Sequence, residues 1–121
     1  MKSVLNLLLF LSIVSCSNLQ RRTGAGLIGH WRYTDELQSC DYSFKANGSF
    51  TGEVKLKSKT VSKFTGRWRI KDNALLYTYL NDAFGRIPAG ATDRDQLLEI
   101  KGDSFLIQAA NGDQRRYRRV K

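Results

Sequence analysis

The chain has 121 residues, with ten Gly and one Pro, which allows one small domain and excludes collagen-like and Pro-rich linker proteins. Charged residues make up 26% and hydrophobic residues 41%, a globular rather than a disordered balance. Lys and Arg outnumber Asp and Glu by 20 to 11, a formal charge of +9 that bears on partners and solubility, while one His and two Cys leave little for a zinc site or a His-centred catalytic set.

Lys2 is followed by an apolar run, VLNLLLFLSIV, over residues 4–14. Such a run is too short to span a bilayer as a helix, which takes about 20 residues. Behind a lone cation at the N-terminus it reads as the apolar region of a secretory signal. The next residues, Ile13-Val14-Ser15-Cys16, resemble the lipobox of bacterial lipoproteins. That resemblance implies cleavage before Cys16, acylation of Cys16 (palmitate among the acyl chains) and a membrane-anchored mature chain. Ser17 follows the lipid Cys where Asp does not, and the resemblance then implies sorting to the outer membrane, facing the periplasm. The expected organisation is a signal peptide at 1–15, a lipidated tether at 16–26 and a folded domain at 27–121. The alternative is an ordinary secretory signal, in which case a Cys16–Cys40 disulfide becomes open.

From Leu27 onward the pattern alternates with period two. Trp31 and Tyr33 share one face of the first strand, His30 and Arg32 the other. Cys40, Tyr42, Phe44 and Ala46 alternate with Asp41, Ser43 and Lys45, and Asn47-Gly48 is a hairpin turn. Phe50, Gly52, Val54 and Leu56 are expected to face in. After a turn near Ser58-Lys59, so are Phe64, Gly66, Trp68 and Ile70. Asp72-Asn73 is the next turn. Further strands are expected at 74–80, 96–101, 104–110 and 114–120, with residues 81–95 as the long irregular segment.

About eight strands without an amphipathic helix predict an all-β fold, a small antiparallel up-and-down barrel, because closure removes the exposed edges. Gly29-x-Trp31 looks like the G-x-W signature that opens lipocalins. Tyr42-x-Phe44-x-x-Asn47-Gly48-x-Phe50, Gly66-x-Trp68-x-x-x-x-Asn73-x-Leu75 and Tyr117-x-Arg119-Val120 resemble the small bacterial lipocalin-like domains. The chain is shorter than true lipocalins and lacks their C-terminal helix.

The last strand, Gln114-Arg115-Arg116-Tyr117-Arg118-Arg119, sends two arginines inward whichever parity faces the interior. In a closed barrel it pairs with the first strand, which brings Arg119 to Trp31. The lipocalin resemblance implies a structural plug there, a cation–π contact worth about 1–2 kcal/mol. Arg115-x-Tyr117 is similar to the R-x-Y pair of fatty-acid-binding proteins, so Arg115 and Tyr117, with Tyr42 and Trp68, are the candidate ligand contacts. The competing reading is that Arg115 reaches solvent at the rim.

Lys55, Lys57, Lys63, Arg67 and Arg69, with Lys59 and Lys71, share the outward parity of one hairpin and form a basic face. Its expected partners are anionic head groups, envelope polymer or an acidic protein; nucleic acid is not expected for an exported chain. Cys40 reads as a buried thiol. Asp93-x-Asp95 is a weak calcium pair, and Phe84, Ile87 and Pro88 could cap a mouth. No nucleophile elbow, phosphate loop or metal-spaced cluster is present, so neither an enzyme nor a cofactor is expected.

The sequence therefore predicts a monomeric, membrane-anchored binding protein for a small hydrophobic or anionic amphiphilic ligand. The alternative is a filled barrel that works through its basic wall as an interaction protein or inhibitor.

Overall fold

The structure, a computed structural model, describes residues 24–121. Eight antiparallel strands follow in chain order: β1 (Gly29–Thr34), β2 (Gln38–Phe44), β3 (Ser49–Leu56), β4 (Lys59–Lys71), β5 (Ala74–Asp82), β6 (Thr92–Ile100), β7 (Ser104–Gln108) and β8 (Gln114–Arg119). They close into a barrel. Closure is made between β1 and β8, with Trp31 opposite Arg119 and Arg32 opposite Arg118. The expected all-β, up-and-down antiparallel barrel is what the chain forms. Cys16 and the signal segment lie outside the described residues.

Hairpin chemistry sets the register. Gly48 takes φ 86°, and the Asn47 carboxamide oxygen accepts from both the Ser49 N–H and its hydroxyl. Lys57, Ser58, Asp72 and Asn73 all have positive φ, the mirror-image turn whose twist matches a two-residue hairpin. Asp72-Asn73 is suited to this; Lys57-Ser58 is not, and the second turn falls one residue earlier than its sequence indicates.

The inward parity builds the core. Trp31, Phe44, Phe50, Leu75, Phe105 and Ile107 are at most 1% exposed. Two glycines make room for the rings. A Cβ on Gly52 would run into the Phe64 and Tyr42 rings, and one on Gly66 into the Phe50 ring and the Thr78 carbonyl oxygen. The small residue is what lets each ring lie flat against the sheet.

Three bulges re-phase the strands. Between Thr65 and Gly66 the β4–β5 register slips, which expels Leu80 to 51% exposure and brings Asp82 opposite Phe64, where it is buried. A slip between Leu97 and Glu99 likewise leaves Leu98 outside. A third lies at Val54/Lys55.

Some expectations are corrected. Leu56 is 44% exposed rather than inside, since it forms the last pair before a turn, beyond the packed interior. Ala46 is exposed in the hairpin loop. β6 starts at Thr92, four residues before its expected start, so the irregular segment shrinks to residues 83–91. Residues 24–27, expected mostly as tether, form one helical turn whose Leu27 is fully buried.

Candidate functional site at the open mouth of the barrel

The two ends of the barrel differ. One gathers the turns at 45–48, 72–73 and 101–103 with the N-terminal helical turn, and it is sealed. Leu27 caps it, and the Trp31 Nε1 donates to the Leu27 carbonyl at 2.8 Å. The Arg119 guanidinium lies 4.1 Å from the Trp31 ring centroid and donates to the carbonyls of Gly102, Ile28 and Gly26. Its charge therefore stacks on a π face while its N–H groups satisfy backbone acceptors. The expected Trp31–Arg119 plug is present.

The other end gathers the loops at 35–37, 57–58, 83–91 and 109–113, and its interior carries polar groups. Arg115 on β8 points inward, its guanidinium carbon 5.6 Å from the centroid of the Tyr33 ring, on the same strand face as Tyr117. Tyr42 lies between, its ring centroid 5.5 Å from that of Tyr117, 5.9 Å from Tyr77 and 5.8 Å from Phe64. Tyr42 is ringed by aromatics and only partly buried as a residue. Below it Phe44, Phe50 and Phe105 fill the lumen.

β6 adds two carboxylates. Asp95, opposite the buried Leu75, lies on the inward parity near the Tyr77 hydroxyl. Burial, and then the neighbouring Asp93 charge, push its carboxyl up to about 6 against the opposing pull of Tyr77 and Arg115. Desolvation likewise pushes the Tyr42, Tyr77, Tyr79 and Tyr117 hydroxyls well up, so all remain protonated donors at neutral pH. Cys40, 3% exposed, also has its thiol raised by burial, which makes it inert. The mouth thus sets one guanidinium, two carboxylates and a ring of phenols over an apolar floor.

Asp82 organises the rim. Its carboxylate accepts from the Ser62 hydroxyl and from the backbone N–H groups of Lys63, Phe84, Arg86 and Ile87. Desolvation pushes this carboxyl up, but the donors outweigh it and hold the group at about 2. The segment 83–91 is thereby pinned, with Ile87 packed against the core and Phe84 52% exposed.

Of the predicted contacts, Arg115, Tyr117 and Tyr42 come together. Trp68 does not join them. It is half-buried towards the sealed end, its Nε1 donating to the Lys45 carbonyl at 3.0 Å. Lys57, Lys63, Arg67 and Arg69 are exposed on the outer wall, while Lys55 is half-buried and lies 3.6 Å from Glu53. His30 lies outside, 3.9 Å from Asp41. Asp93 and Asp95 do not form a calcium set. Among the described residues no group of three or more metal-ligating side chains gathers. Asp82, Tyr77 and Tyr79 are site residues that the sequence did not mark out, and Asp95, marked only as half of a weak calcium pair, lies at the mouth instead.

Two solved structures share the architecture. A lipocalin-like protein from Bacteroides uniformis superposes with a TM-score of 0.59 at 20% identity, over 78% of this chain and 99% of its own. A protein from Bacteroides eggerthii, described as uncharacterized, does so with a TM-score of 0.54 at 17% identity, over the same shares. No family model matches the chain, and no curated protein matches it in sequence. The barrel is thus lipocalin-like, a statement about fold alone. Among the described residues no helix is long and apolar enough to cross a membrane, which leaves membrane β-barrels aside.

Proposed function

We propose that this chain is an exported, lipid-anchored binding module that takes a small amphiphilic ligand into the open half of its barrel. One observation carries the reading. Arg115, over the Tyr33 ring, and Asp95, opposite the buried Leu75, share the inward parity with Tyr77, Tyr117 and Tyr42, in a barrel whose other end is plugged. Charged groups placed inside a fold cost stability unless partnered, and such groups at a mouth are typical of a binding site. The ligand's apolar body would lie on the Tyr42 and Tyr79 rings, with its polar head group at Arg115 and Tyr117.

The Asp95 carboxyl sets the charge preference. When ionised it opposes an anionic head group beside Arg115; when protonated it becomes a donor. A carboxylate-headed ligand should therefore bind more tightly as pH falls through about 6. The anchor at Cys16 is supported by the lipobox-like sequence, and an envelope location, at the outer membrane, follows from it.

Native mass spectrometry of protein extracted from membranes tests both parts. An acyl mass on Cys16 and a dissociable small molecule lost in Arg115→Ala are expected. Absence of any adduct from wild type, with an unmodified thiol at Cys16, would overturn the reading.

A further inference from the structure

The outer wall carries a feature that the mouth does not explain. Arg67 and Arg69 project from β4, and Arg94 from β6. Across β5 the pairing sets Arg69 opposite Leu76, Leu76 opposite Arg94, and Arg67 opposite Thr78. At about 4.8 Å per strand, Arg69 and Arg94 flank Leu76 at roughly 10 Å, with Arg67 about 7 Å along β4. All three are exposed, and none pairs with an acid among the described residues. Arg32, Lys55, Lys101 and Arg116 each have a carboxylate within 4.0 Å, whereas exposed Lys57, Lys59, Lys63 and Lys71 also have none among the described residues, so the trio is set apart by its placement around one groove. Two contiguous depressions of 510 and 280 Å³ share Arg69, Leu76 and Thr78 and run from Arg94 to Trp68. Asp93 is the one carboxylate lining them, and its Oδ1 already accepts from the Arg94 N–H.

A second observation is independent of charge. Gly24 and Ala25, where the described chain begins, line a depression together with Trp68, Arg69 and Ile70. The N-terminal segment thus joins the barrel at the edge of this same face, and exposed Ile28 lies beside it. An anchor leading from that point would leave the described chain beside this wall.

We propose that the outer face of β4–β6, centred on Arg67, Arg69 and Arg94, docks on the phosphate head groups of an anionic bilayer. Guanidinium groups fork onto phosphate oxygens, and Leu76 between them meets the apolar part of the interface. This is a site separate from the mouth; the anchor reading bears on which bilayer it meets and on how near this wall is brought to it, while the arginine cluster stands without it.

The test uses residues 17–121, which retain every strand of the closed barrel and lack Cys16, so the anchor plays no part. Sedimentation is measured with phosphatidylcholine vesicles, with and without about 30% phosphatidylglycerol. Binding only to the anionic vesicles, released by about 0.3 M salt, is expected. The triple variant R67Q/R69Q/R94Q should weaken it about 100-fold, at about fivefold per arginine. A control that removes three cations elsewhere, K101Q/R118Q/K121Q, should keep most of it, and circular dichroism checks that both variants fold. Equal loss in the control, equal binding to neutral vesicles, or no vesicle binding beside capture of heparin or an acidic protein would overturn the proposal. Because the anchor is absent, failure here leaves the acylation of Cys16 untouched, and an unacylated Cys16 would leave this result standing.

Discussion

The Arg119 guanidinium stacks 4.1 Å over the Trp31 ring where β8 meets β1, and it ties three carbonyls from two separate segments into one cap. Arg119→Ala removes the stacking and leaves those carbonyls to water. A loss of about 2 kcal/mol, or a Tm lower by roughly 10 °C, is expected in thermal unfolding. Arg119→Lys should lose about half as much, because a point charge over the ring cannot fork to the carbonyls. Unchanged melting for Arg119→Ala would show that the cap contributes nothing.

Gly66 and Gly52 admit the rings that fill the lumen. Gly66→Ala places a methyl against the Thr78 carbonyl oxygen, a backbone atom that cannot step aside, and 2.7 Å from the Phe50 ring. It should destabilise by about 2–3 kcal/mol in urea titration, more than Gly52→Ala, whose methyl meets only ring edges that can turn. The reverse order would contradict the packing described here.

Asp82 is held at about 2, below its unfolded value of 3.8, so its contribution is fully present above about pH 4. As pH falls through 2 the carboxylate protonates in the folded state and that contribution is lost. In Asp82→Ala the N–H groups of Phe84, Arg86 and Ile87 lose their acceptor. Hydrogen exchange at those three amides should accelerate at least tenfold while the β7 amides stay protected. Uniform acceleration would mean that Asp82 supports the whole barrel rather than its rim.

Asp95 has the opposite sign. Its folded carboxyl titrates near 6 against 3.8 unfolded, so ionisation costs the folded state. The cost is absent below about pH 4, grows up to pH 6 and is constant above it. Asp95→Asn, which keeps an acceptor near the Tyr77 hydroxyl, should therefore raise stability at pH 7 by up to roughly 2 kcal/mol and change little at pH 4. Stabilisation of the same size at both pH values would rule out the buried charge as the cause.

The barrel was legible in the sequence because period-two alternation is loud where inward residues are aromatic. Trp31, Tyr42, Phe44, Phe50 and Phe64 announce both the strands and their faces. The site was half legible. Arg115 and Tyr117 could be placed because β8 alternates cleanly up to its pairing with β1. Asp93 and Asp95 could not, because charged residues on the inward parity of β6 make its first half look like a loop. Asp82 was hidden by the Leu80 bulge, which reverses the inside–outside phase of β5 in a way that alternation alone does not reveal. Trp68 sits on the right parity but at the wrong end, since its depth depends on how far β4 runs past its neighbours.

In the proposed function the mouth takes the small amphiphile, apart from the outer wall that meets head groups. ¹H–¹⁵N correlation spectra of residues 17–121, titrated with laurate below its micelle concentration at pH 5 and pH 7, locate that ligand. Saturable shifts at Tyr33, Tyr42, Asp95, Arg115 and Tyr117, larger and tighter at pH 5, with Trp31 and Phe105 unmoved, are the predicted result. Shifts confined to outward residues such as Arg67 and Thr78, or none at either pH, would contradict it.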